Sequence, residues 1–258
     1  MRKAATVLFG ATMFSLGYVL SHPDEDTLII EKNANLLPDF VQPMNAKKVD
    51  DFNFKSDIAK DVCEELKKRY IMNDEGIYHN FLVSFAMGQR MNKVTDRRFL
   101  FMTETLNITK SSDGYEIDIF CADGFCKVKT QRIIDTTSLG VIDYNLSIGY
   151  EKSICCMVSK ESEKYSLPDN AKVIDGLWNE LILKYAVDKN ADITSAKKTA
   201  FDTVNHITGC KLLSVSAYFA YDFKATENHR INDGHYFIPS ASYSNILSAL
   251  DGGASWNF

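Results

Sequence analysis

Thr6-Val7-Leu8-Phe9-Gly10-Ala11-Thr12-Met13-Phe14-Ser15, followed beyond a polar loop by Thr27-Leu28-Ile29-Ile30-Glu31-Lys32, is the stretch that decides the fold. Thr6–Phe9 is a short apolar run of the kind buried on both faces of a sheet. Gly10 supplies a turn, and Ala11 to Ser21 reads as a helix carrying small residues toward the sheet. Pro23-Asp24-Glu25-Asp26 is a loop, and Thr27–Ile30 is a second buried strand that ends on the acid Glu31. Strand, glycine turn, helix and strand make a β-α-β unit, with an acidic residue 21 positions after the first glycine. The same residues admit a second reading. Met1-Arg2-Lys3 before the apolar run Ala4–Leu20 also looks like a secretory signal. Leu20-Ser21-His22-Pro23 is a poor cleavage site, however, and a signal gives no reason for the second strand and its terminal acid.

The rest of the 258 residues fits one large domain or two intertwined ones. With 45% hydrophobic and 24% charged residues, 5 prolines and no low-complexity tract, a disordered or fibrous chain is excluded. The net charge of −5, without a basic stripe, argues against a nucleic-acid partner. The 13 glycines, about 5% of the chain, are few for a nucleotide-binding fold. The apolar run at the start is short for a membrane span. None of the six cysteines forms a C-x-x-C pair, so no structural metal is expected, and reduced thiols in a cytoplasmic protein are. Cys121 and Cys126 bracket Asp123-Gly124, a two-residue hairpin turn that would set the two thiols opposite each other.

Ser56 to Met72 reads as an amphipathic helix capped by Ser56, with Ile58, Val62, Leu66 and Tyr70 as its apolar stripe. Phe81–Met91 is a second apolar helix, and Arg97-Arg98, a surface or ion-pair feature, precedes the strand Phe99–Met102. Asp135-Thr136-Thr137 stands at a strand end, where open α/β sheets bind ligands and where hydroxyl-capped turns also occur. Further on, Leu177, Leu181 and Tyr185 mark a helix, with Trp178 in the core, and Thr194–Ile207 marks another. Ser153–Ser159 is a buried strand holding Cys155-Cys156. Lys211–Phe223 is a strand with Leu213, Val215, Ala217, Phe219 and Tyr221 on one face. His229 and His235, with Arg230 between them, are the candidate bases.

Taken in order, four stretches resemble the FAD-dependent oxidoreductases with a Rossmann-type FAD domain, the glutathione-reductase-like superfamily. They are TVLFGATMFSLGYVL leading to TLIIEK, FLFMTETLNITKSSDGYEIDIFCADGFCKVKTQRIIDTTSLG, the insertion Val141–Phe223, and HYFIPSASYSNILSALDGG. The resemblance implies an α/β fold: a Rossmann-like parallel sheet with a β-meander, formed by residues 1–140 and 224–258, plus a small inserted α+β substrate domain over 141–223. It implies FAD as cofactor and oxidation of an unknown small-molecule substrate. Gly10, Ala11, Thr12 and Ser15 would wrap the diphosphate, and Glu31, with Lys32 beside it, would hold the adenosine ribose. Asp135 and Thr136 would flank the adenosine–diphosphate arm. Ser240 and Ser242 would lie along the ribityl chain, and the helix begun by Asn245 would face the flavin. The fingerprint departs from G-x-G-x-x-G/A: Thr12 and Ser15 replace glycines, and Ser240-Ala241-Ser242 stands in place of a Gly-Asp pair. A β-branched Thr12 is expected to crowd the phosphates, although its hydroxyl could also bond one. These departures keep open an alternative in which the fold has lost catalysis and serves as a binding or partner subunit. No second glycine fingerprint or redox cysteine pair follows, so a built-in nicotinamide domain and disulfide reduction are not expected.

Overall fold

A computed structural model describes residues 2–94 and 98–258. In chain order the first elements are β1 (Arg2–Phe9), α1 (Met13–Ser21), β2 (Thr27–Ile30), α2 (Asp57–Lys68), α3 (Asn80–Val94) and β3 (Phe99–Leu100). The antiparallel strands β4 (Glu104–Ser111), β5 (Gly114–Cys121) and β6 (Gly124–Asp135) follow. Next come β7 (Tyr150–Lys160), β8 (Ala171–Asp175), β9 (Glu180–Val187), α4 (Ile193–Val204), β10 (Cys210–Val215) and β11 (Ala220–Phe223). The chain closes with β12 (His229–Asn232), β13 (His235–Phe237), a 3₁₀ turn at Ser240–Ser242 and α5 (Ile246–Ala254).

The first sheet runs β12-β13-β6-β1-β2-β3, parallel from β13 to β3. β1 lies at its centre, so Thr6–Phe9 pairs on one side with Thr27–Ile30 and on the other with Arg132–Asp135. Both faces are covered, which is why these strands are continuous apolar runs. Leu8 and Ile29 face the helices α1, α2, α3 and α5. Val7, Phe9, Leu28 and Ile30 face the β-meander, meeting Tyr115, Ile117 and Ile119 of β5. β6 is long enough to serve both layers, pairing parallel with β1 and antiparallel with β5. The second sheet, β10-β7-β9-β8 with β11 also on β7, is antiparallel and built wholly from residues 150–223. One of its faces packs α4. The other packs Cys155, Met157, Ile182 and Ala220 against Met44 and Ala46 of the loop after β2.

Several sequence expectations change. No helix forms over 177–185: Leu177 precedes β9, and in that strand Leu181, Leu183 and Tyr185 share the α4 face while Ile182 turns to the other, a period of two that the i, i+4 match concealed. Trp178 lies outside the core, 61% exposed. Lys211–Phe223 is two strands. Ser216 breaks it, its N–H and hydroxyl engaging the Cys155 carbonyl (2.8 Å) and N–H (3.1 Å). The helix α2 ends at Lys68, and Tyr70, at positive φ (58°), points to solvent at 83% exposure. In the meander hairpin Cys121 pairs with Gly124 and Cys126 with Ile119, two residues off the expected pairing. The turn residues are Ala122-Asp123, and Gly124 takes the positive φ (86°). All six thiols are free. Arg98 bonds the Thr27 hydroxyl (3.1 Å) and the His22 and Pro23 carbonyls, whereas its neighbour Arg97 lies outside the described residues. No helix among the described residues is long and apolar enough to cross a membrane.

Candidate functional site

The crevice lies where the fold leads one to look, beyond the carboxyl ends of β1, β2 and β6, and is closed opposite by the β10–β11 turn. Its volume is about 470 Å³. Gly10 forms its floor at φ 89°, and a Cβ there would stand 3.0 Å from Thr12 Cγ2 and 3.2 Å from Thr136 Oγ1. Glycine is required at this turn on both counts.

Thr12 lines the crevice with no exposed surface of its own. Its hydroxyl accepts from Ser15 N–H (3.3 Å) as the N-cap of α1 and lies 2.7 Å from Thr136 Oγ1. Thr136 Oγ1 donates to the Phe9 carbonyl (2.7 Å) and takes Ser15 Oγ at 2.9 Å. Phe14 N–H reaches Ser240 Oγ (3.4 Å). Thr12, Ser15, Thr136 and Ser240 thus form one hydroxyl cluster under the turn, each with no exposed surface. Thr136→Val keeps the shape but leaves two buried hydroxyls and a carbonyl without their shared partner. We expect a loss of about 2 kcal/mol in chemical denaturation; an unchanged midpoint would mean the cluster is not a stabilising unit.

Glu31 is equally engaged. One oxygen accepts from Ala11 N–H (2.8 Å), and the other from Asn33 N–H (2.7 Å) and Nδ2 (2.8 Å). Burial nonetheless raises its pKa, against the pull of these donors. Lys32 pairs with Glu104 at the crevice mouth (3.0 Å). Asp135 is fully buried and holds its own loop, accepting from Thr137 N–H (3.0 Å) and Oγ1 (2.6 Å), Val141 N–H (2.7 Å) and Tyr144 OH (2.8 Å). Burial raises its pKa as well. Ser242 Oγ accepts from Glu227 N–H (3.0 Å), and Asn245 caps α5 through Ser248 N–H (2.9 Å). His229 pairs with Glu227 (2.7 Å). His235, buried between Tyr115 and Tyr144, has its pKa pushed down to about 4 by burial. Neither histidine lines the crevice.

Three features had no sequence signal strong enough to find them. Asp39, on the loop after β2, lines the crevice at 5% exposure, and neither of its carboxylate oxygens has a hydrogen-bond partner. Burial pushes its pKa up to about 7, opposed by the nearby Ser240 hydroxyl, which is not within bonding geometry. Lys47 donates to the carbonyls of Ala241 (2.8 Å) and Tyr243 (3.1 Å), just ahead of the α5 cap, and lies 3.6 Å from Asp222. Asp222 also pairs with the buried Lys184, which donates to Asn45 Oδ1 (2.8 Å). A charged residue within the apolar run Leu181–Tyr185 was the one available hint of this cluster.

Among solved structures the chain superimposes on p-nitrophenol 4-monooxygenase PnpA from Pseudomonas putida DLL-E4, with a TM-score of 0.67 at 10% identity over 98% of this chain and 78% of that one. A geranylgeranyl bacteriochlorophyll reductase-like protein from Thermoplasma acidophilum gives 0.67 at 11% identity over 98% and 77%. The myxobacterial chondrochloren halogenase CndH, a variant of the FAD-dependent halogenases, gives 0.61 at 8% identity over 98% and 73%. The chain has an FAD-binding oxidoreductase fold. No protein-family model and no curated protein matches the sequence.

Against that fold, the diphosphate of FAD is a strict test. It needs exposed N–H groups at the first helix and positive or neutral surroundings. Ala11, Thr12, Met13, Phe14 and Ser15 have no exposed surface. The charged groups lining the crevice are the carboxyls of Glu31, Asp39 and Glu104 and the ammonium of Lys32, a negative balance. The residues present therefore do not fit FAD held in the fold's usual grip. The obstacle is burial of the turn and carboxylate charge.

Proposed function

We propose that this chain uses the FAD fold without flavin chemistry, as a binding or partner subunit whose crevice takes a ligand other than a dinucleotide. The observation that carries this is the burial of the whole turn Ala11–Ser15 around the Thr12–Thr136–Ser15 hydroxyl cluster. A cytoplasmic location belongs to the same reading and is supported by the six free thiols. The competing reading is an FAD-dependent oxidoreductase of the glutathione-reductase-like type, acting on an unknown small molecule. Its support is the fold itself, the positive-φ turn at Gly10 and the acid Glu31 at the end of β2.

The test is the visible absorption of the purified chain, followed by FAD titration during thermal unfolding. We expect a colourless protein and no rise in Tm with added FAD. A ligand present at about 100 times its Kd stabilises by about 2.7 kcal/mol, so real FAD binding would move Tm by several degrees. A yellow protein that releases FAD on denaturation would decide for the oxidoreductase.

A further inference from the structure

A dianionic ligand is disfavoured in the crevice, and the same atoms say what would be favoured. The buried side-chain atoms left without partners on its lining residues are all acceptors: both carboxylate oxygens of Asp39 and Oε1 of Gln42. A buried acceptor without a donor is costly, and a bound donor from outside the chain is one way to relieve it. Opposite them, the β10–β11 turn contributes Tyr218, Phe219 and Tyr221. Tyr218 is tied to the dinucleotide edge through its hydroxyl, which donates to Asn33 Oδ1 (3.2 Å). Phe219 already carries a cation on its ring, with Lys152 Nζ 3.9 Å from the centroid.

We infer that the crevice is a binding site for a small organic ammonium ion bearing an aromatic group, its charge drawn to Asp39 and its ring laid against Tyr218 and Phe219. This deepens the reading of a chain without flavin chemistry and rests on it. An ammonium brings three donors to the unpartnered acceptors of Asp39 and Gln42, and it relieves the negative balance left by Glu31, Asp39, Glu104 and Lys32. The groups that bear on Asp39 are the Ser240 hydroxyl on the segment before α5, Glu31 at the end of β2, and Lys47 and Tyr78 on the loops after β2 and α2. A cation favours the ionised carboxylate, so affinity should rise between pH 6 and pH 8.

The test uses the full chain and three probes in calorimetric titration: phenethylamine, its neutral counterpart 2-phenylethanol, and FAD. We expect saturable binding of phenethylamine, with 2-phenylethanol at least tenfold weaker and FAD silent. Asp39→Asn should lower phenethylamine affinity tenfold or more while leaving the alcohol unchanged. Equal binding of amine and alcohol would overturn the inference, because the site would then be reading the ring alone. Silence toward the amine would also overturn it while leaving the non-flavin reading intact. Tight FAD binding would overturn both. The amine–alcohol comparison needs no variant, so a poorly folded Asp39→Asn does not rescue the proposal.

Discussion

Gly253→Ala is expected to lower Tm by roughly 6–12 °C. α1 and α5 cross with their backbones in contact. A Cβ on Gly253 would stand 1.9 Å from the Phe14 carbonyl oxygen, and one on Gly17 would stand 2.1 Å from that of Leu250. Neither glycine has a positive φ, so the requirement is close approach and not conformation. Helix-interior glycine normally costs about 1 kcal/mol relative to alanine. Here the overlap reverses the sign, because backbone atoms cannot move aside as a side-chain tip can. Overpacking of this kind costs about 3 kcal/mol or more. The crossing also matters for the site. α1 begins at the hydroxyl cluster, and α5 begins beside the Ala241 and Tyr243 carbonyls that hold Lys47. Forcing the helices apart should loosen both. Gly88→Ala in α3 is the control: its Cβ would find only Leu36 Cδ1, at 3.6 Å, and the variant should be neutral or stabilised by up to about 1 kcal/mol. Equal Tm values for Gly253→Ala and wild type would show that the helices can separate at little cost.

The sequence carried the frame because the frame rests on local pattern. Thr6–Phe9 and Thr27–Ile30 are uniformly apolar because each is covered on both faces. Gly10 is present because the turn needs its φ, and Glu31 ends its strand because it clamps the turn through Ala11 N–H. The second sheet was harder to read, because its central strands β7 and β9 are covered on both faces and so show no alternation of apolar and polar residues. Leu177, Leu181 and Tyr185 satisfy a helical spacing by coincidence, and only the partner strand β7 shows that Leu183 belongs to the same face. The site was legible as a location and not as chemistry. The direction of the Thr12 side chain is not visible in the sequence, because its hydroxyl meets that of Thr136, 124 residues away. Asp39 sits on an irregular loop with no periodicity, and its isolation results from what Leu37–Gln42 is folded against. That is set by the second sheet, through contacts such as Ala217 N–H to the Gln42 carbonyl (3.0 Å).

Asp39→Asn is the second large prediction, and its sign depends on pH. Burial raises the Asp39 pKa from 3.8 to about 7 in the folded chain. Between about pH 4 and pH 7 the folded state therefore holds a proton that the unfolded state has released. Stability must fall as pH rises through that window and level off above it, by on the order of 4 kcal/mol from this one group. Glu31 and Asp135, also raised by burial, act in the same direction. The asparagine variant removes the Asp39 share. It should match wild type near pH 3, where Asp39 is neutral in both states, and exceed it increasingly above pH 4, by up to about 4 kcal/mol at pH 8 less the cost of burying the amide. Urea unfolding at the two pH values reads the difference directly. Equal destabilisation at both would mean that Asp39 holds the loop by contacts other than its charge. If the gain at pH 8 appears, the wild-type chain is keeping a carboxylate that weakens it at neutral pH, in the crevice at the carboxyl ends of the parallel strands. Retaining such a group against stability is what a binding role predicts, and the same variant should lose the amine while gaining the Tm.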